Sequence, residues 1–152
     1  MAIPQSGLIF VFDENNVGVL PALRASRAVA HERVTDLPTQ GIAPGTLDAD
    51  LLRQLGARGS FALVARDGRM LEPLMQRPAW RASGVTVFLL GKKWGNLKLA
   101  ELSRRLLFLW PTLVDYAQQG GQGVAWRVSP AIPGPTTNAF RLVTARNDEG
   151  TA

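Results

Sequence analysis

Three short, mostly apolar runs constrain this chain most: Leu8–Phe12, Phe61–Ala65 and Val85–Leu90, the last interrupted only by Thr86. A short apolar run bounded by turn formers reads as a strand buried on both faces, the kind found inside a parallel sheet. The first run stops at Asp13, Glu14, Asn15 and Asn16, and the second at Arg66 and Asp67. If the strands are parallel, Asp13 and Asp67 leave the sheet at the same end, the edge where open α/β sheets bind ligands. Each aspartate alone also suits a turn, but two strands ending alike weaken that reading. The 152 residues, 46% of them hydrophobic, are enough for one domain with a full core.

The segments between the runs read as helices and loops. Val17–Ala28 carries Val19, Leu20 and Leu23 on one face with Arg24 and Arg27 outward, and Pro21 sets a late helix start. Val29–Val34 is a short strand candidate, and Thr35–Gly45, with two prolines and two glycines, is a loop. Thr46 can cap a helix over Leu47–Arg58. At 100° per residue Asp48 falls in the middle of the face made by Leu47, Leu51, Leu52 and Leu55, and Asp50 falls on the opposite side. An uncompensated carboxylate on a packing face is costly. Asp48 therefore either caps the helix start or reaches a cation at the sheet edge. Arg69–Ser83, broken by Pro73 and Pro78, reads as one or two short helices, its methionines core filler.

Gly91–Asn96 reads as a loop, its lysines beside Trp94 offering charge for phosphate and a flat face for a base. The simpler reading packs Trp94 back on the core. Leu97–Gln118 is the longest helix, with Leu99, Leu102, Leu106, Leu109 and Leu113 in one stripe and Pro111 expected to kink it. Lys98, Glu101 and Arg105 lie outside the stripe, whose far edge is a candidate homodimer surface. Val124–Val128 is a last internal strand, Ser129–Asn138 a linker, and Phe140–Thr144 a candidate edge strand in this chain or a partner. The alternation of strands and helices implies an α/β sandwich with a mainly parallel sheet.

Composition narrows the chemistry. No cysteine is present, which excludes thiolate catalysis, disulfides and Cys-based zinc sites and fits a reducing, cytoplasmic setting. One histidine, His31, excludes a His-rich metal site and reads as an ordinary strand residue. No apolar run is long enough for a bilayer, and no secretory signal is visible. The net charge of +5 suits phosphate polymers or acidic proteins. Asp13, Asp48 and Asp67 are thus expected at one rim, where their mutual repulsion is relieved by a cation. Oxygen-only ligands favour Mg²⁺ or Mn²⁺, and paired metals about 4 Å apart can support phosphodiester cleavage without histidine or cysteine.

Phe12–Asn15 (FDEN), Leu47–Gly59 (LDADLLRQLGARG), Ala62–Asp67 (ALVARD), Gly84–Leu90 (GVTVFLL) and the leucine-rich last helix, in this order and spacing, resemble PIN-like domains, the nuclease fold of VapC-type toxins of bacterial toxin–antitoxin pairs. The resemblance covers roughly residues 8–128. It implies a three-layer α/β sandwich over residues 1–129, followed by a linker and tail over 130–152. It also implies a Mg²⁺- or Mn²⁺-dependent endoribonuclease, with Asp13, Asp48 and Asp67 as catalytic metal ligands, an RNA substrate and a cognate antitoxin. Arg66, Arg69, Lys92 and Lys93 are the candidate phosphate contacts. The family's fourth acid, near the end of a later strand, is missing: Gly91–Asn96 has lysines there instead. That departure supports a rival expectation, a catalytically weak or inactive module that holds RNA or protein. A phospho-acceptor domain, with Lys92 or Lys93 beside the acids, would leave Asp48 without a role.

Overall fold

The computed structural model describes residues 9–12, 17–26, 34–36, 54, 61–65, 84–119, 124–130 and 134–143. Six strands form one sheet: β1 (Ile9–Phe12), β2 (Val34–Asp36), β3 (Phe61–Ala65), β4 (Thr86–Leu90), β5 (Ala125–Val128) and β6 (Phe140–Val143). Their order is β2-β1-β3-β4-β5-β6, parallel throughout except that β6 runs antiparallel to β5. The three apolar runs are three of its four interior strands, as expected for strands covered on both sides. Successive side chains of a strand point to opposite faces. Phe10, Phe12, Ala62, Val64, Phe88, Leu90 and Val128 line one buried face. Val11, Leu63, Ala65, Val87, Leu89 and Ala125 line the other. With both faces buried the sheet is the middle layer of an α/β sandwich.

Against the first face pack α1 (Leu20–Ala25), α2 (Lys92–Gly95) and α3 (Leu99–Gln119). A 3-10 turn, Val17–Val19, precedes α1, and Pro21 sits in its first turn, where a missing N–H costs nothing. Leu20 and Leu23 are buried as expected, but Arg24 is half-buried rather than outward: its Nη2 donates to the Val34 carbonyl at 3.3 Å. The helix therefore ties down the edge strand β2.

That strand is the first correction to the sequence reading. Val34 is its first residue, and Thr35 and Asp36 belong to the sheet, not to a loop. The partner supplies the reason: β1 offers a free parallel edge, with Phe10, Val11 and Phe12 in register with Val34, Thr35 and Asp36. From the expected helix Leu47–Arg58 only Gln54, which is helical, is described, and His31 lies outside the described residues.

Gly91–Asn96 is the second correction. Its centre is a helical turn, α2, and Trp94 is fully buried, its Nε1 donating to the Val128 carbonyl at 2.8 Å. The third concerns α3. Leu102, Leu106, Leu109, Trp110 and Leu113 are buried, but Leu99 is 56% exposed because the first turn lies at the sheet's margin. The helix continues through the exposed Pro111 to Gln119.

Trp110 packs on β1, with ring centroids 4.9 Å from Phe10 and 6.2 Å from Phe12. Further along, Tyr116 stacks on Trp126 at 4.3 Å and meets Phe140 at 4.9 Å. The helix thus crosses the sheet from the β1 side towards β5 and β6. A second 3-10 turn, Thr136–Ala139, stands in the expected linker, and β6 then closes the sheet within this chain.

Candidate active site at the sheet's carboxyl edge

Strand order locates the candidate site. From β1 the chain crosses to β2 on one side and returns to β3 on the other, so the winding reverses between β1 and β3. A crevice opens at such a reversal, outside the carboxyl ends of the two strands, and open α/β sheets bind ligands there. Phe12 is in register with Val64, so β1 and β3 end within about one residue of each other. The sequence continues from Phe12 into Asp13 and from Ala65 through Arg66 into Asp67.

Asp13, Asp48, Asp67, Arg66 and Arg69 themselves lie outside the described residues. Among the described residues no three or more His, Cys, Asp or Glu stand together as a metal group. Lys92 and Lys93 are described and exposed, one and two residues beyond Gly91 at the carboxyl end of β4. Their position is fixed from beneath. Trp94 is fully buried and bonded to the Val128 carbonyl at the end of β5, so α2 holds the two lysines at the rim. Clustered cations raise the local potential and draw polyanions to the edge.

A second charged group lies on α3. Glu101 is one turn before both Arg104 and Arg105, the geometry in which helical side chains meet. It accepts a hydrogen bond from Arg104 Nη2, and its Oε2 is 2.6 Å from Arg105 Nε. Arg105 Nη1 also donates to the Pro130 carbonyl at 3.2 Å, tying the helix to the segment after β5. Together Glu101, Arg104, Arg105, Phe108, Leu109, Pro130, Gly134 and Thr136 line a groove of about 430 Å³.

The hydrogen bond from Arg104 holds the Glu101 carboxyl below its ordinary value of 4.5; Arg105 adds to this and partial burial opposes it. Just below pH 4.5 the folded carboxyl therefore keeps more of its charge than an unfolded one does. Its contribution to stability is present above the unfolded value and lost as pH falls through the folded one. Carbon-detected titration should find Glu101 titrating below 4.5, and Arg104→Ala should move its midpoint back up. An unmoved midpoint would mean that the pair is not formed in solution.

The sequence reading placed Glu101 and Arg105 outside the leucine stripe but attached no site to them, and it passed over Arg104 and Phe108. The signal available was a phenylalanine one turn beyond an arginine, off the apolar face.

Among the described residues no helix is long and apolar enough to cross a membrane. Residues 8–92 match the family model of the PIN-like domain. No curated protein and no solved structure matches the chain. The matched span runs from β1 to Lys92 and includes Asp13, Asp48 and Asp67 and, of the candidate phosphate contacts, Arg66, Arg69 and Lys92; Lys93 lies one residue beyond it. Since it covers more than half of the chain, and the strands it contains form the expected parallel sheet, this chain belongs to the PIN-like domain family.

Proposed function

We propose that this protein is a metal-dependent endoribonuclease, the toxin of a toxin–antitoxin pair, with its active site outside the carboxyl ends of β1 and β3. PIN-like domains are generally of nuclease type. One observation carries the reading: two neighbouring parallel strands at the reversal of the sheet, each followed within two residues by an aspartate. Asp13, Asp48 and Asp67 are an all-oxygen donor set, which fits a hard divalent ion such as Mg²⁺ or Mn²⁺. When bound, such an ion supplies a more acidic water and neutralises charge on the reacting phosphate. Arg66, Arg69, Lys92 and Lys93 hold and orient the RNA backbone, their charges giving affinity without sequence choice. The cognate antitoxin would be a second, protein partner of the same basic chain.

Purified protein is expected to cut RNA when Mn²⁺ is supplied and to stop when it is chelated. Cutting that persists in excess chelator would overturn metal dependence.

Lys92 and Lys93 favour a second reading. They occupy the edge where the family's fourth acid would stand, and cations there weaken a metal site. On that reading the domain holds RNA or an acidic protein without chemistry. RNA binding would fall steeply with salt and be indifferent to chelator, with no cleavage under any metal.

A further inference from the structure

We propose that the groove between α3 and the β5–β6 connection is an accessory subsite for single-stranded RNA, in which a base stacks on Phe108 and the adjoining phosphate meets Arg104. The proposal rests on the reading of this protein as one that acts on RNA and extends the substrate's path beyond the catalytic rim.

The first observation is Phe108 itself. It is 72% exposed, the most exposed large hydrophobic side chain among the described residues, although its helix buries a full leucine stripe elsewhere. It borders the groove, with Pro130 and Gly134 contributed by the chain after β5. A volume of about 430 Å³ falls within the range of small-ligand sites. An aromatic face beside an opening of that size is a stacking platform, and every base has a π-face to offer it.

The second observation is charge. Arg104 lies one helical turn before Phe108, and its side chain is 76% exposed. Glu101 engages one edge of its guanidinium, but an arginine has five N–H donors in a planar fork, so others remain for a phosphate. Glu101 is shared by two arginines, so the groove carries a net positive charge. Glu101 also holds Arg105 against Pro130, which fixes the wall opposite the platform.

The third observation is position. A Cβ built on Gly18 would stand 3.5 Å from Leu99 Cδ1, so the start of α3 abuts the turn that follows β1. Lys98, exposed just before that start, and Arg104 then lead from the β1 side towards the groove. Lys92 and Lys93 stand on the same rim at the end of β4. On this proposal an RNA strand held outside the carboxyl ends of β1 and β3 extends along these cations to Phe108. Charge complementarity and this continuity favour a polynucleotide over an apolar protein segment.

The test measures binding apart from cleavage. Fluorescence anisotropy of a fluorescein-labelled oligouridine is followed in excess chelator, with full-length wild type, Phe108→Ala, Phe108→Tyr and Arg104→Ala. Losing the stacking face is expected to weaken binding by about 5- to 150-fold, while Phe108→Tyr, which keeps the ring, binds nearly as wild type. Arg104→Ala should also weaken binding and reduce the slope of log affinity on log salt by about 0.7, the signature of one lost phosphate contact. These changes are surface substitutions, so unaltered unfolding midpoints are expected to accompany them. Wild-type affinity in both alanine variants overturns the proposal. So does an effect of Phe108→Ala on self-association or on capture of an acidic peptide with RNA binding unchanged, since the groove would then be a protein contact. If wild type cuts RNA and Phe108→Ala binds it equally well, only the groove fails. If binding depends on Phe108 but nothing is ever cut, only the nuclease reading fails.

Discussion

Asp67→Asn is expected to lower Mn²⁺-dependent RNA cleavage by at least about a hundredfold, because loss of even an outer-sphere partner of a metal ligand commonly costs up to that much. Asparagine keeps the side-chain volume and one carbonyl oxygen but removes the negative charge on which a hard cation's affinity depends. The neighbouring strand end makes the same demand of Asp13, since β1 and β3 are register partners to within a residue of their ends. Asp13→Asn should therefore give a loss of similar size. Asp50→Asn is the control: helical spacing puts it on the opposite side of its predicted helix from Asp48, and cleavage should be unchanged. Cleavage rates would be read together with urea midpoints, which should stay at the wild-type value in all three variants. Removing repulsion between nearby acids, if anything, raises stability. Undiminished cleavage by Asp67→Asn in a folded protein would end the metal-ligand assignment.

The parts of this fold that are legible in the sequence are those where a single segment carries its own instruction. Phe10–Phe12, Ala62–Ala65 and Val87–Leu90 are buried on both faces, so each strand had to be continuously apolar, and a continuous short run is easy to see. The edge strand β2 has no such mark. Its three residues include a threonine and an aspartate, and their strand character comes from the backbone edge of β1 and from Arg24 on the Val34 carbonyl. Leu99 illustrates the opposite failure. Its heptad-like spacing is as good as that of Leu106, but periodicity does not reveal where the sheet ends beneath the helix. Trp94 was ambiguous for a chemical reason, since an indole beside two lysines suits both a base and a core, and burial with a satisfied N–H decides for the core.

At the candidate site the same division holds. The acids after the first two runs are visible as residues, but the fact that their strands are neighbours at a topological reversal belongs to the strand order. The groove beside Phe108 was out of reach altogether. One wall is α3 and the other is the chain after β5, and only tertiary structure brings Arg105 to the Pro130 carbonyl.

The second large effect is expected at Trp94. Truncation to alanine should cost about 3–5 kcal/mol in transfer and cavity terms, because the ring is fully buried among Phe88, Leu90 and Val128. Loss of the indole N–H that reaches the Val128 carbonyl adds about 1–3 kcal/mol if that oxygen stays dry. Trp94→Phe separates the two contributions: it keeps much of the aromatic volume, drops the donor, and should cost about 1–3 kcal/mol from the bond and the smaller ring together. Since a domain of this size has about 5–15 kcal/mol in total, Trp94→Ala should leave only a marginal fold. Urea unfolding would read both as a lower midpoint at unchanged slope. The consequence for function follows from where the residue sits. Trp94 anchors α2 to β5, and α2 carries Lys92 and Lys93 at the rim. In Trp94→Phe, a folded protein with a loosened anchor, RNA affinity should fall although no cation has been removed, and added salt should narrow the gap between variant and wild type. A stability loss under about 1 kcal/mol for Trp94→Ala would contradict full burial of the ring, and an unchanged RNA affinity in Trp94→Phe would mean that the lysines at the rim do not depend on it for their placement.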